Sequence, residues 1–319
     1  MIAAVADLLY LSRTDVESLL DVDAMLDALA AALAAYSSGA ASAPPRTAVR
    51  VEHGLLGVMP GYIPGVALES KLVSVFPENH AHGLPSHQGL IALFDEENGS
   101  PLAIMDATYI TAIRTGGAAA VAARVLARED ANVLAILGAG VQGWSHLQTF
   151  PRVRDFREIR IASRNPERAN DLAAHHPRAQ PVPSFEQAVH GADVVACCTD
   201  AREPILRRDW LAEGTHVSAV GGTFGPELDP ETIRAASIFV EWRGAVTSPP
   251  PAGAHELQGL DPASVTEVGE VIAGTKPGRT SPGELTLYKS TGIAVEDAAT
   301  ARLVYDAALH KGAGVVLPV

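Results

Sequence analysis

Apolar and polar positions alternate along Leu68–Phe76, LESKLVSVF: Leu68, Ser70, Leu72, Ser74 and Phe76 share one face, and Glu69, Lys71, Val73 and Val75 the other. Lys71 therefore points the same way as two valines. A strand-end lysine ordinarily carries its ammonium to water along its methylene stem, so this placement needs a reason. Further strands are predicted over Thr47–Glu52, Leu55–Met59, Val66–Phe76, Gln88–Phe94 and Pro101–Asp106. The segment DEENGS, with its Asn98-Gly99 pair, reads as a solvated hairpin tip between the last two. Ahead of these strands, Thr14-Asp15-Val16-Glu17 reads as a capping box opening one helix that runs through the alanines toward Gly39. Behind them a long alanine-rich helix is predicted from about Ala107 to Arg128.

From Ala131 the pattern changes. Short apolar runs (NVLAILG, REIRIAS, DVVACCT, THVSAVG, SIFVE) alternate with helical segments such as PERANDLAAHH, the rhythm of a parallel sheet with crossover helices. A last helix, from about Ile293 to Lys311, leaves too little chain for another domain and is expected to pack back onto the N-terminal region. The expected fold is α/β: a Rossmann-type doubly wound parallel sheet over 116–292, plus a discontinuous α+β dimerisation and substrate domain over 1–115 and 293–319.

Composition narrows the function. The 319 residues are 47% hydrophobic and 19% charged, with a net charge of −13, which argues against a nucleic-acid or anionic-membrane partner. The two cysteines, Cys197 and Cys198, are neighbours; they neither staple a fold nor offer metal-ligand spacing, and a reducing, cytoplasmic setting fits them. The opening MIAAVADLLYLSRTD lacks the basic start of a signal peptide, and no membrane span is expected. His80, Ala81 and His82 do not make a metal site without a third ligand, so no metal is assigned.

Gly138-Ala139-Gly140-Val141-Gln142-Gly143 is a G-x-G-x-x-G directly after the strand VLAIL and opening a helix. In that context it marks a dinucleotide site, with the pyrophosphate at the positive end of the new helix. Where an NAD site usually places a carboxylate at the end of the second strand, this chain reads Ser163-Arg164-Asn165. A carboxylate would repel a 2′-phosphate, whereas these three can donate hydrogen bonds to one. The expected cofactor is NADP(H) rather than NAD(H).

Arg114 lies in TYITAIRTGG among apolar and small neighbours; a buried arginine is costly unless an anion is close. At this point the sequence resembles the ornithine cyclodeaminase/μ-crystallin family over essentially its whole length. The resemblance is carried by PPR at 44–46, LGVMPGY at 56–62, SKLVSVFPEN at 70–79, LPSHQG and the run that follows at 84–128, GAGVQG, AVGGTFGPELD at 219–229 and TLYKSTGIAVEDAA at 286–299. It implies a Rossmann domain and a split domain whose sheet makes a homodimer. It further implies that Arg46, Lys71 and Arg114 hold the substrate's carboxylate and its amino or imino group beside the nicotinamide. Ser86 and Ser290 match cofactor-contacting positions, Val141 and Gln142 lie on the pyrophosphate loop, and Thr199, Val220 and Gly221 lie at strand ends lining the nicotinamide. Met59 and His87 are counted with the substrate residues, His87 being equally readable as a structural hydrogen-bonding group.

Two departures bear on the reaction. Where cyclodeaminases carry an aspartate after AVGG, this chain has Thr223. Where ornithine-using members tend to carry a carboxylate just before the MP of the second strand, it has Leu56-Gly57-Val58-Met59-Pro60. A distal ammonium would lack both anions, at a cost of several kcal/mol, unless Asp106, Glu227 or Asp229 reached it. The expected activity is therefore NADPH-dependent reduction of small, cyclic α-imino acids, such as Δ1-pyrroline-2-carboxylate or Δ1-piperideine-2-carboxylate, to L-proline or L-pipecolate. In that reading Lys71, crowded by two arginines, has a lowered pKa and serves the imine nitrogen, with Thr223 a neutral hydrogen-bonding group. The alternatives are a cyclodeaminase-type lyase, an alanine dehydrogenase-like enzyme, and a non-catalytic NADPH-binding protein like the crystallins.

Overall fold

The computed structural model describes residues 7–222 and 224–318, with the backbone alone for His80; the start of the opening stretch and Thr223 lie outside the described residues. The chain forms two compact units, residues 1–114 with 293–319, and residues 115–292.

The first unit is built on a seven-stranded sheet. Its strands are β1 (Leu8–Leu11), β2 (Thr47–Val51), β3 (Gly54–Ile63), β4 (Ala67–Val75), β5 (His87–Phe94), β6 (Pro101–Asp106) and the C-terminal strand Val315–Leu317. The order is C-terminal strand, β1, β6, β5, β4, β3, β2. Register places Met59 and Ile91 beside Lys71, and Gly61 and Leu93 beside Glu69. β3 runs further than Leu55–Met59: β2 stops with Thr47 opposite Val58, so beyond that point β3 pairs with β4, where Pro60 is tolerated.

The helix expected to open at Thr14 is capped two residues earlier and breaks once. Ser12 is the cap: its Oγ accepts from the Asp15 N–H at 3.3 Å, and Asp15 Oδ2 accepts from the Ser12 N–H at 2.9 Å. α1 (Arg13–Leu19) then ends, because the Asp21 carboxylate accepts from the N–H groups of Asp23 and Ala24 at 2.9 and 3.1 Å and starts α2 (Val22–Ser37) afresh. α2 and the C-terminal helix (Ala294–Lys311) pack together, and the latter lies across β3, β4 and β5. The sheet face beneath it is buried through Met59, Ile63, Glu69, Lys71, Ile91 and Leu93, while Val49, Leu56, Leu72 and Leu90 on the other face are exposed. The division between the units falls within α3 (Ala107–Leu126), after Arg114.

The second unit is an eight-stranded parallel sheet: β7 (Val133–Leu137), β8 (Glu158–Ala162), β9 (Ala179–Pro181), β10 (Val194–Cys197), β11 (His216–Ala219), β12 (Ser237–Val240), β13 (Thr266–Glu267) and β14 (Thr286–Lys289). Their order is β13-β12-β14-β11-β10-β7-β8-β9. The chain winds outward from β7 in both directions, so the switch point lies between β7 and β10, where open α/β sheets bind their ligands outside the strands' carboxyl ends. The fold is thus the expected α/β class, a Rossmann-type doubly wound sheet with a second domain.

Candidate active site

In the first unit the strand alternation carries Lys71 to the covered face, where it is 1% exposed. Water does not reach its ammonium; the C-terminal helix supplies an anion instead. Lys71 Nζ donates to Asp297 Oδ2 at 2.5 Å. Arg114 Nε donates to Asp297 Oδ1 at 2.9 Å, and its Nη1 to Glu296 Oε2 at 2.6 Å. Asp297 thus joins Lys71 and Arg114 through its two oxygens. The anion that Arg114 demands comes from the chain itself. Arg46 lies in the loop before β2, half-buried, and His87 opens β5 on the surface, where its Nδ1 is 3.1 Å from Ser86 Oγ. Met59 is buried next to Lys71 across the ladder.

Burial lowers the Lys71 pKa to about 8, against the pull of Asp297 and with the repulsion of Arg114. Removal from water is the leading cause, and the charge of Arg114 adds to it. Burial works against ionised Asp297 too, yet Arg114 and Lys71 keep its pKa below the ordinary carboxylate value. Glu69, two residues from Lys71 on the same strand face, differs. It is 2% exposed, and among the described residues neither carboxyl oxygen has a hydrogen-bond partner. Burial, then the charge of Asp297, pushes its pKa well above the usual range. A methyl group on Gly61 would come within 2.8 Å of Glu69 Oε1 and 3.0 Å of Ala294, so the carboxyl is packed between β3 and the helix.

The second unit carries the glycine-rich loop between β7 and α4 (Val141–Val153). Gly138 has φ +112°, and a Cβ there would stand 2.6 Å from the Cys198 carbonyl oxygen; a Cβ on Gly143 would stand 2.0 Å from that of Gly138. The turn therefore closes only with glycine at both places. Around Gly140, by contrast, the space is open, and α4 has no side-chain cap. Val141 is 66% exposed, and Gln142 Oε1 is buried with no partner among the described residues. An uncapped helix start beside open space fits a dinucleotide pyrophosphate.

Past β8, Ser163 Oγ accepts from the Asn165 N–H at 3.2 Å, and Asn165 caps the helix Pro166–Ala173. Arg164 Nη2 reaches Asp200 Oδ1 at 2.9 Å, both side chains being largely exposed.

The carboxyl ends of β10, β11 and β14 are tied by acids the sequence reading had not placed. Glu227, fully buried, accepts from the Thr199 N–H at 2.8 Å and hydroxyl at 2.7 Å through Oε1, and from the Gly221 N–H at 2.8 Å through Oε2. Lys289, equally buried, donates to the Gly221 carbonyl at 2.8 Å and pairs with Glu256 at 3.1 Å. Burial raises the Glu227 pKa, opposed by Lys289. For Lys289 burial is outweighed by Glu256 and Glu227, which hold its pKa above the ordinary lysine value. Val220 donates its N–H to the Cys197 carbonyl, and Ser290, buried at the end of β14, donates its own to Ala219.

Asp106 accepts from the Tyr109 N–H at 2.9 Å, and Asp229 caps the helix Pro230–Ala235 through the Thr232 N–H. With Glu227 on the strand ends, each of the three acids considered for a distal ammonium has a local structural task.

Residues 7–312 match the model of the ornithine cyclodeaminase/mu-crystallin family. The chain is 40% identical over 307 residues to the ketimine reductase mu-crystallin of Mus musculus, covering 93% of this chain and 96% of that protein. The structure of Thermococcus litoralis Δ1-pyrroline-2-carboxylate reductase in complex with NADH and L-proline is similar with a TM-score of 0.91 and 35% identity, over 97% of this chain and 100% of that one. An archaeal alanine dehydrogenase dimer with bound NAD is similar with a TM-score of 0.89 and 34% identity, over 98% and 99% of the two chains. This chain belongs to the ornithine cyclodeaminase/mu-crystallin family.

Proposed function

We propose that this protein is an NADPH-dependent reductase of small cyclic α-imino acids, converting Δ1-pyrroline-2-carboxylate or Δ1-piperideine-2-carboxylate to L-proline or L-pipecolate. The observation that carries the reading is the buried Lys71 ammonium, kept charged by Asp297 and poised near neutral pH. A general acid works best when its pKa lies near the operating pH.

A reduced nicotinamide cofactor held by the Gly138–Gly143 loop would supply the hydride for the imine carbon. Lys71 donates the proton that the imine nitrogen requires as its carbon is reduced. Asp297 keeps Lys71 protonated until that moment and ties it to Arg114, so the two cations keep one geometry. As the family resemblance implies, Arg46 and Arg114 are assigned to the substrate carboxylate, Met59 and His87 are counted with the substrate residues, and Thr223 is read as a neutral hydrogen-bonding residue. The loop Gly138–Gly143 holds the pyrophosphate, Ser163, Arg164 and Asn165 the 2′-phosphate, and Ser86, Thr199, Val220, Gly221 and Ser290 the nicotinamide half.

The lyase alternative needs an anion for a distal amine. Asp106, Glu227 and Asp229 are occupied elsewhere, and Glu69 is enclosed and favours its neutral form. The ketimine reductase and pyrroline-2-carboxylate reductase relatives support reduction of a C=N bond. The exposed apolar sheet face at Val49, Leu56, Leu72 and Leu90 supports a homodimer.

Product analysis tests the proposal. The protein is incubated with NADPH and each cyclic imino acid, with pyruvate plus ammonia, and with L-ornithine plus NAD. Formation of L-proline or L-pipecolate is expected. Ammonia release from ornithine, or alanine as the main product, would replace this reading with the lyase or the dehydrogenase.

A further inference from the structure

The Thr199 hydroxyl has one proton and two lone pairs. Its proton is directed to Glu227 Oε1 at 2.7 Å, and it accepts from the Ala201 N–H at 3.3 Å. Among the described residues nothing takes its second lone pair. The strand end beside it is similarly committed: the Gly221 N–H goes to Glu227 Oε2 and its carbonyl receives Lys289 Nζ. Glu227 cannot drift, because its own N–H donates to Glu256 Oε1 at 3.2 Å and its carbonyl receives the N–H groups of Ile205 and Leu206. Thr199 also stands against the dinucleotide loop, since a Cβ on Gly138 would lie 3.1 Å from Thr199 Cγ2.

We infer that Glu227 is a positioning residue that turns Thr199 into a pure hydrogen-bond acceptor for the amide N–H of the cofactor's carboxamide. The inference rests on the reading that this unit binds a nicotinamide dinucleotide at the ends of β7, β10 and β11. A free threonine hydroxyl would serve either end of a carboxamide, its N–H or its C=O, and would leave the ring free to flip. With its proton held by Glu227, Thr199 rewards the N–H alone, which selects one orientation of the carboxamide and so of the ring. Lys289 and Glu256 hold the carboxylate in the place where it does this.

Fluorescence titration of the whole protein, without any imino acid, tests the inference with three reduced cofactors. They are NADPH, its thionicotinamide analogue, which keeps the N–H but has sulfur for oxygen, and its 3-acetylpyridine analogue, which keeps the C=O but lacks the N–H. For the unmodified protein, the thio analogue should bind about as tightly as NADPH and the acetyl analogue roughly fivefold to tenfold more weakly, the worth of one hydrogen bond. Thr199→Val should close that gap, and Thr199→Ser should keep it. Glu227→Gln should narrow it by freeing the hydroxyl to donate to the acetyl oxygen, with the thermal melt read alongside. Equal affinity for all three cofactors, or weakening by the thio analogue instead, overturns the inference on the unmodified protein alone. An unchanged gap in Thr199→Val overturns it as well, while NADPH binding itself keeps the cofactor reading intact. Failure to bind any of the three removes both.

Discussion

Lys71 and Asp297, 226 residues apart in sequence, meet at 2.5 Å in the interior of the first unit, with side-chain exposures of 2% and 0%. A lone ammonium at that depth would shed its proton, and a lone carboxylate would gain one. Together, with Arg114 on the second carboxylate oxygen, they hold a charged lysine in the interior of the unit.

Asp297→Asn keeps the shape and removes the anion. Breaking a buried pair from one side costs about 3–5 kcal/mol, so this variant should melt well below the parent at neutral pH. The deficit should shrink as pH rises toward 8, because the parent's Lys71 then loses its own charge. Thermal melts across that range check both parts; a deficit independent of pH would contradict the charge assignment.

Reduction should slow above about pH 8, as Lys71 loses the proton it must give. NADPH binding should stay flat through the same range. In Asp297→Asn the fall should begin at lower pH, since the carboxylate that raises the Lys71 pKa is gone. Initial rates against pH for the two proteins show whether the limb moves.

Glu69 is ionised in the unfolded chain above its ordinary value of 4.5 but resists ionisation in the folded one. A raised folded pKa stabilises fully below the unfolded value and loses that contribution as pH rises toward the folded pKa. Glu69→Gln lacks this loss. Its melting temperature relative to the parent should therefore climb from pH 4.5 to 7; a constant difference would show that Glu69 is charged in the fold.

Arg164 is held by Asp200 across an exposed gap, an attraction of little energetic weight that a 2′-phosphate can displace. Arg164→Ala should raise the NADPH KM by roughly tenfold or more, the value of one charge-assisted hydrogen bond, and leave NADH nearly unchanged. Asp200→Asn should favour NADPH further. Parallel NADPH and NADH kinetics decide, and equal losses with both cofactors would remove Arg164 from phosphate recognition.

Local pattern made much of this legible. Strand alternation put Glu69 and Lys71 on one face, and the glycine spacing after an apolar strand marked the turn at Gly138–Gly143. Alternation does not say what covers a face, and so Asp297 and Glu296 went unplaced: they arrive on a helix from the far end of the chain. A signal was present, since both acids sit in GIAVEDAA with no basic residue nearby to neutralise them. Glu227, Glu256 and Lys289 converge from separate strand ends and loops, a meeting that spacing along the chain does not encode. Asp21 was an overlooked local signal, an aspartate able to cap a fresh helix inside an alanine-rich run.

The central claim, that the buried Lys71 ammonium protonates the imine nitrogen, is tested most directly by Lys71→Met. Methionine fills the same space and leaves Asp297 paired with Arg114. NADPH oxidation with Δ1-pyrroline-2-carboxylate or Δ1-piperideine-2-carboxylate is followed for both proteins, together with NADPH affinity by fluorescence. The account predicts a loss of about 10²–10⁴-fold or more in turnover, the usual contribution of a general acid, with NADPH affinity retained. Turnover close to that of the parent would contradict it.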